Sequence, residues 1–180
     1  TSLDDTIASV VVQTANLFLM QVKQACLRAH DWNCARKRAA PAAVANDSFG
    51  EWAYAYRVPP DCLCVRRFVS PYPQEQNSEF RVEIGLDDKS VLYTNVKNAK
   101  IVYTKDFMDT NRWDKLLFDA AKYRLAIDFS SAFTKDLKMI AALWQQYEAR
   151  IAEAKGVNEV EGGMERVYSD SLTEVRFSGR

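Results

Sequence analysis

The chain has 180 residues, with 24 Lys+Arg balanced by 24 Asp+Glu, 48% apolar residues, six Gly, five Pro and four Cys. That balance excludes collagen, a disordered chain and a disulfide scaffold, and zero formal charge gives no net counterion-release drive toward nucleic acid. It is the composition of an ordinary soluble α+β domain, large enough to bury a core without metal or disulfide staples.

Residues 4–29 read as the first helix. Ile7, Val10, Val11, Thr14, Leu17, Phe18, Val22 and Ala25 recur at three- and four-residue steps. Asp4 or Asp5 can cap its start, and Lys23, Arg28 and His30 lie toward its end, where cations are favoured. The most apolar stretch, residues 8–20, is interrupted by Ser9, Gln13, Thr14 and Asn16 and has no basic leader. Neither a membrane span nor a signal peptide is expected there. The chain opens on Thr1 rather than Met, which implies upstream processing or truncation.

Residues 32–104 read as a small antiparallel β insertion. An extended segment over 31–41 leads into a loop with Asn46, Asp47, Ser48 and Gly50. Trp52, Tyr54 and Tyr56 then alternate with Ala53, Ala55 and Arg57, the pattern of a strand with one aromatic face. Pro59 and Pro60 stop it, because proline donates no ladder hydrogen bond. Further strands are expected over 62–69, 80–84, 91–94 and 101–103, joined as a meander by turns at Asp87-Asp88-Lys89 and Lys97-Asn98. Helices come next, over 106–133 and 135–155, the second capped by Thr134 or Asp136. Its buried face is drawn through Leu137, Ile140, Ala141, Trp144, Tyr147 or Glu148, and Ile151, so Trp144→Ala is expected to cost roughly 3–5 kcal/mol. Gly156, Gly162 and Gly163 loosen the chain beyond it. The expected architecture is an α+β fold, a bundle of about three long helices with a small inserted β region. It forms one domain over 1–155, and an extended tail over 156–180 is expected to be disordered or to dock on another chain.

Few residues suggest chemistry. Cys26, Cys34, Cys62 and Cys64 make no C-x-x-C pair and His30 is the sole histidine, so a zinc site is not expected. Four buried free thiols, made in a reducing compartment, are expected instead. His30 at a helix end reads as a cap for free carbonyls. Asp87-Asp88 reads as a polar turn, and no phosphate-binding glycine loop appears. Arg36-Lys37-Arg38 and Arg66-Arg67 read as the solvated side of two neighbouring strands. Two competing functions remain open. One is a small enzyme using His30 or a carboxylate pair. The other is a single-strand nucleic-acid module that stacks bases on the aromatics beside Arg36-Lys37-Arg38.

One resemblance covers nearly the whole chain in element order. Residues 52–63, WAYAYRVPPDCL, resemble the tyrosine-rich strand, LP-x-D-C-L turn and following strand of phage head-to-tail adaptors, the tail tubular protein A family of short-tailed phages. Ala25-Cys26-Leu27-Arg28 and Asp31-Trp32-Asn33-Cys34-Ala35-Arg36 resemble that family's long helix followed by W-x-F-A-R, with Cys34 where Phe is common. Trp113-Asp114, the run 143–148 and the closing Val175-Arg176-Phe177 are also similar, and Ser2-Leu3-Asp4-Asp5 resembles the segment after a short first helix that would lie upstream.

The resemblance implies a structural virion protein without catalytic, metal or cofactor residues. About a dozen copies would form a homo-oligomeric ring between the portal protein and the tail nozzle or tube. Genomic DNA would pass through the central channel without sequence-specific binding, and no membrane would be involved. Such a protein would be made in the host cytoplasm and end in the connector region of the virion. Trp32, Arg36, Arg38, Trp52, Tyr54 and Tyr56, with Arg166, Tyr168, Arg176 and Phe177 of the tail, are then the candidates for the subunit or portal interface.

Overall fold

The computed structural model describes residues 3–70, 78–107, 109–134 and 136–162, with side chains from Val12 onward. Its elements are α1 (Leu3–Arg28), a 3-10 turn (Asn33–Ala35), β1 (Arg36–Ala39), β2 (Tyr54–Arg57), β3 (Cys62–Phe68), β4 (Phe80–Ile84), β5 (Ser90–Thr94), β6 (Ile101–Lys105), α2 (Lys115–Phe133) and α3 (Leu137–Glu161). A second 3-10 turn, Thr110–Arg112, precedes α2.

The expected helical bundle with a minor β insertion is not what forms. The fold is α+β with two antiparallel three-stranded sheets, ordered β1-β6-β3 and β2-β5-β4. α2 packs along both α1 and α3, and Cys26 of α1 meets Tyr147 of α3 in a core that all three helices share. The helices form a layer whose remaining apolar side needs a cover.

The first sheet supplies that cover and also faces the second sheet. On its helical side lies a core of Val22, Cys26, Leu27, Trp32, Ala35, Leu63, Trp113, Leu117, Ala120, Ile151 and Ala154. On its other side Val65, Phe68, Ile101 and Tyr103 meet Tyr56, Val58 and Leu92 from the second sheet and its flank. The β region thus builds a core of its own between the two sheets.

The strands are not a meander. Only β4 and β5 are hairpin neighbours; β6 lies between β1 and β3, and β5 between β2 and β4. The hairpin turn follows from Gly85, where an added Cβ would come within 2.8 Å of Val91 Cγ2, and from Asp88 at φ 57°. At Lys97-Asn98 the chain instead crosses from one sheet to the other.

Two bulges in β3 set the relation between the layers. Cys62 and Cys64 pair with the consecutive residues Lys105 and Thr104, and Val65 and Arg67 with Tyr103 and Val102. Leu63 and Arg66 are therefore the extra residues, and a bulge re-aims the side chain it adds. Leu63 joins the helical core. Arg66 Nη2 lies 3.1, 3.1 and 2.6 Å from the carbonyls of Leu27, Arg28 and His30, while its Nε donates to Thr104 Oγ1 at 2.8 Å.

This closes α1. A helix end leaves four carbonyls without intrahelical partners. Here Ala25 O accepts from Ala29 N–H, Cys26 O from Ala29 N–H and Trp32 Nε1, and Leu27 O and Arg28 O from Arg66. The cap expected of His30 is thus made by Arg66. The His30 ring packs edge-on against Trp32 instead, with centroids 5.0 Å apart.

The late helices also differ in extent from the sequence expectation. α2 begins at Lys115 rather than at 106, and the polar side chains before it are engaged elsewhere. Asp106 accepts from Gln24 Nε2 and lies 3.6 Å from Lys23 Nζ, and Asp114 caps α2 through the N–H groups of Leu116 and Leu117. Asp136 caps α3, one of the two caps expected. α3 runs past Gly156 to Glu161 because Asn158, buried at its end, is held on three sides. Its Oδ1 and backbone O accept from Asn33, and its Nδ2 donates to Asp31 O. The tail expected over 156–180 thus begins with helix, and residues 163–180 lie outside the described residues.

Arg66→Ala is expected to destabilise the fold by roughly 1–2 kcal/mol, since partly exposed carbonyls at the end of α1 lose a charged donor. Arg66→Lys should recover little of it, because an ammonium cannot span Thr104 and the helix end as the guanidinium fork does. Urea denaturation of both variants checks this.

Candidate functional site

Among the described residues, the sequence-predicted interface residues are spread over several faces. Trp32 is fully buried in the helical core, its indole N–H satisfied by Cys26 O at 2.8 Å. Arg36 is half-buried and paired with Asp31 at 2.9 Å. Arg38 is exposed on β1, at an edge of the first sheet. Tyr56 is buried with its hydroxyl on Val96 O, and Tyr54 packs beside it, ring centroids 6.4 Å apart. Trp52 does not share their face. β2 begins only at Tyr54, and Trp52 packs with Val44, Ala55, Val91 and Tyr93 on the opposite side of the sheet. Arg166, Tyr168, Arg176 and Phe177 lie outside the described residues.

The basic residues are likewise dispersed. β6 separates β1 from β3, so Arg36-Lys37-Arg38 and Arg66-Arg67 are not on neighbouring strands. Arg66 is spent on the end of α1. Lys37 donates to Asp61 at 2.8 Å, where Tyr103 OH also donates at 2.9 Å and Lys105 Nζ stands 4.0 Å away. Partial burial would raise the Asp61 pKa, but Lys37, Tyr103 and Lys105 together hold it below the ordinary carboxylate value. Burial and the bond to Asp61 push Tyr103 up, so its hydroxyl stays a donor. The knot fastens the turn after Pro60 to both β1 and β6.

The titratable groups weighed for chemistry are tuned away from it. Burial lowers the His30 pKa and pushes the Cys26 thiol up to about 11, away from a reactive thiolate. All four cysteines are free, but only Cys26 is buried, and Cys34 is exposed. Asp87 belongs to the hairpin turn, as expected, and takes Arg57 in a two-pronged pair at 2.9 and 2.6 Å. Among the described residues no three His, Cys, Asp or Glu side chains are placed to hold a metal ion, and no helix is long and apolar enough to cross a membrane.

No protein-family model matches this chain, and no curated protein matches it.

What the structure does concentrate is uncovered apolar surface at one end of the helical layer. Val12, Leu19 and Cys26 are seven residues apart and share a face of α1. Their exposure falls from 58% to 45% to 0% along the helix. On α3 the stripe does the same, from 79% at Leu137 through 37% at Trp144 to 8% at Ile151. The two ends coincide. Phe18 of α1 meets Phe129 near the end of α2, edge to face at 5.7 Å, and α3 begins just after that end. Leu17, Met20, Phe133 and Met139 add to the same region.

Between α1 and α2 an open groove of about 340 Å³ runs from Phe18 to Ala132, with Arg124 and Asp128 in its wall. Arg124 pairs with Asp128 at 3.8 Å and lies 4.6 Å from the Trp144 ring. In the sequence the α3 stripe reads wholly as core, because its period carries no mark of where the covering layer stops, and the α1 face is drawn through Leu17, Phe18 and Val22 rather than Val12 and Leu19.

A second, smaller apolar site stands at the far tip of the second sheet. Phe49, in a left-handed turn residue at φ 53°, is fully exposed, and Leu86 is nearly so. Asp47 ties the two tips together, accepting from Leu86 N–H and from the Tyr93 hydroxyl. That bond raises the Tyr93 pKa to about 12.

Asp61 is held below its unfolded value of 3.8, so its contribution to stability is complete above about pH 4 and fades as pH falls through the lower folded value. Asp61→Asn should flatten the acid limb of a stability-versus-pH curve while costing little stability once pH lies below the folded value. Trp144→Ala should cost only about 1 kcal/mol, the loss of an exposed cation–π contact and partial burial, not the 3–5 kcal/mol of a buried ring; thermal denaturation separates the two.

Proposed function

We propose that this chain is a structural assembly subunit, a head-to-tail adaptor that forms a homo-oligomeric ring between a phage portal and its tail nozzle or tube. The observation that carries the assembly part is the pair of apolar stripes on α1 and α3 that outrun their cover at the same end. An exposed apolar patch of this extent marks an interaction site. It lies on long helices, which present a regular face to a second copy. In a ring each contact is heterologous, so one face of the copy meets a different face of the next. The helical end and the groove beside Arg124 and Asp128 are two such faces.

The adaptor part of the proposal rests on the resemblance of residues 52–63 to the adaptor strand-turn-strand. The physical chemistry agrees with it. A ring around a DNA conduit must release the duplex, and a chain of zero formal charge supplies no excess of phosphate contacts to hold it. In this role the helical end grips sister copies. The apolar tip at Phe49 and Leu86 stands away from it, free for a partner above or below the ring.

Light scattering on the purified chain, and electron micrographs with purified portal, test both parts. The wild type should assemble at tens of micromolar and join the portal. Val12→Glu with Leu19→Glu should abolish assembly with little change in melting temperature, because exposed sites carry little fold stability. A chain that stays monomeric and ignores portal overturns the proposal.

A further inference from the structure

We infer that the outer edge of β4 is a docking site for one strand, and that its occupant is residues 173–177 of this chain's own C-terminal segment. β4 is the last strand of the second sheet. It pairs with β5 through Phe80↔Thr94, Val82↔Leu92 and Ile84↔Ser90, and among the described residues nothing pairs with its other side. Leu92 is buried on the face shared with Val82 and Ile84, yet Val82 is 45% and Ile84 74% exposed. An open edge with apolar side chains beside it is a template for strand addition.

The sequence supplies a complementary strand. β4 reads Phe80-Arg81-Val82-Glu83-Ile84, and the segment reads Thr173-Glu174-Val175-Arg176-Phe177. Both alternate apolar and charged residues at period two. Laid parallel, Glu174 falls beside Arg81 and Arg176 beside Glu83, on the exposed face. Val175 then falls beside Val82 and Phe177 beside Ile84, covering the uncovered apolar side. The antiparallel alignment that matches Val175 to Val82 sets Arg176 against Arg81 and Glu174 against Glu83, so charge selects the parallel one. α3 ends at Glu161 with Gly162 as its cap, and the ten or so residues between there and the segment can span about 30 Å when extended. The tail is thus long enough to reach across a domain or to a neighbour.

Hydrogen exchange on the full chain, read by mass spectrometry, tests this. The amides of Phe80–Ile84 and of residues 173–177 should be protected together. Val175→Pro removes a ladder donor and should speed exchange in β4 at least about tenfold. Glu174→Arg with Arg176→Glu should weaken protection likewise, and adding Arg81→Glu with Glu83→Arg should restore it. Equal β4 exchange in wild type and Val175→Pro overturns the inference, and failure of the fourfold charge exchange to restore protection overturns the parallel alignment. Protection that fades on dilution assigns the strand to a neighbouring copy; protection that persists assigns it to the same chain. A monomer that keeps β4 protected leaves this inference standing while the ring falls.

Discussion

The fold depends on how the C-terminal end of α1 is closed. That end lies partly exposed against the first sheet, and its last carbonyls need partners that the helix itself does not supply. Arg66 answers this from β3, forty residues away in sequence, and Trp32 answers the rest. Arg66 can reach only because a bulge turns it toward the helices. The same device sends Leu63 into the helical core. Two inserted residues in one strand thus tie the first sheet to the helices.

A second tie works at the other end of the chain. Asn158 bonds to Asn33 and to Asp31 O, so the end of α3 and the connection after α1 are held as one piece. Both ties sit at the sheet end of the helical layer. At the opposite end Phe18 meets Phe129, Phe129 stacks on Phe133, and Arg124 lies over the Trp144 ring. There the apolar stripes on α1 and α3 emerge, and an exposed apolar face suits association.

The polar residues divide in the same way. Several charges near the expected interface are paired within the fold: Arg36 with Asp31, Lys37 with Asp61 and Arg57 with Asp87. The last two join segments 24 and 30 residues apart in sequence. The surface also carries uncovered apolar residues, at the helical end and at the tip around Phe49 and Leu86. That residue of unmatched surface, rather than a pocket of tuned side chains, directs the functional reading.

Helix positions, most strand cores, the Asp87 turn, the Asp136 cap and the α3 apolar stripe were legible in the sequence, because each is a local pattern of period or capping chemistry. The aromatic run at 52–56 was legible as a strand but not as two faces, since the exact start of β2 decides where Trp52 points. Asn158 looked like part of a loose tail, as glycine at 156 and the polar run around it carry no sign of a partner 125 residues away. The two-sheet order and the β3 bulges were not legible, because strand pairing across 40 residues leaves no periodic trace. Only the tertiary structure decided which part of each stripe is core. A helix writes its apolar face along its whole length, but the layer that covers that face comes from elsewhere in the chain and ends where its strands end.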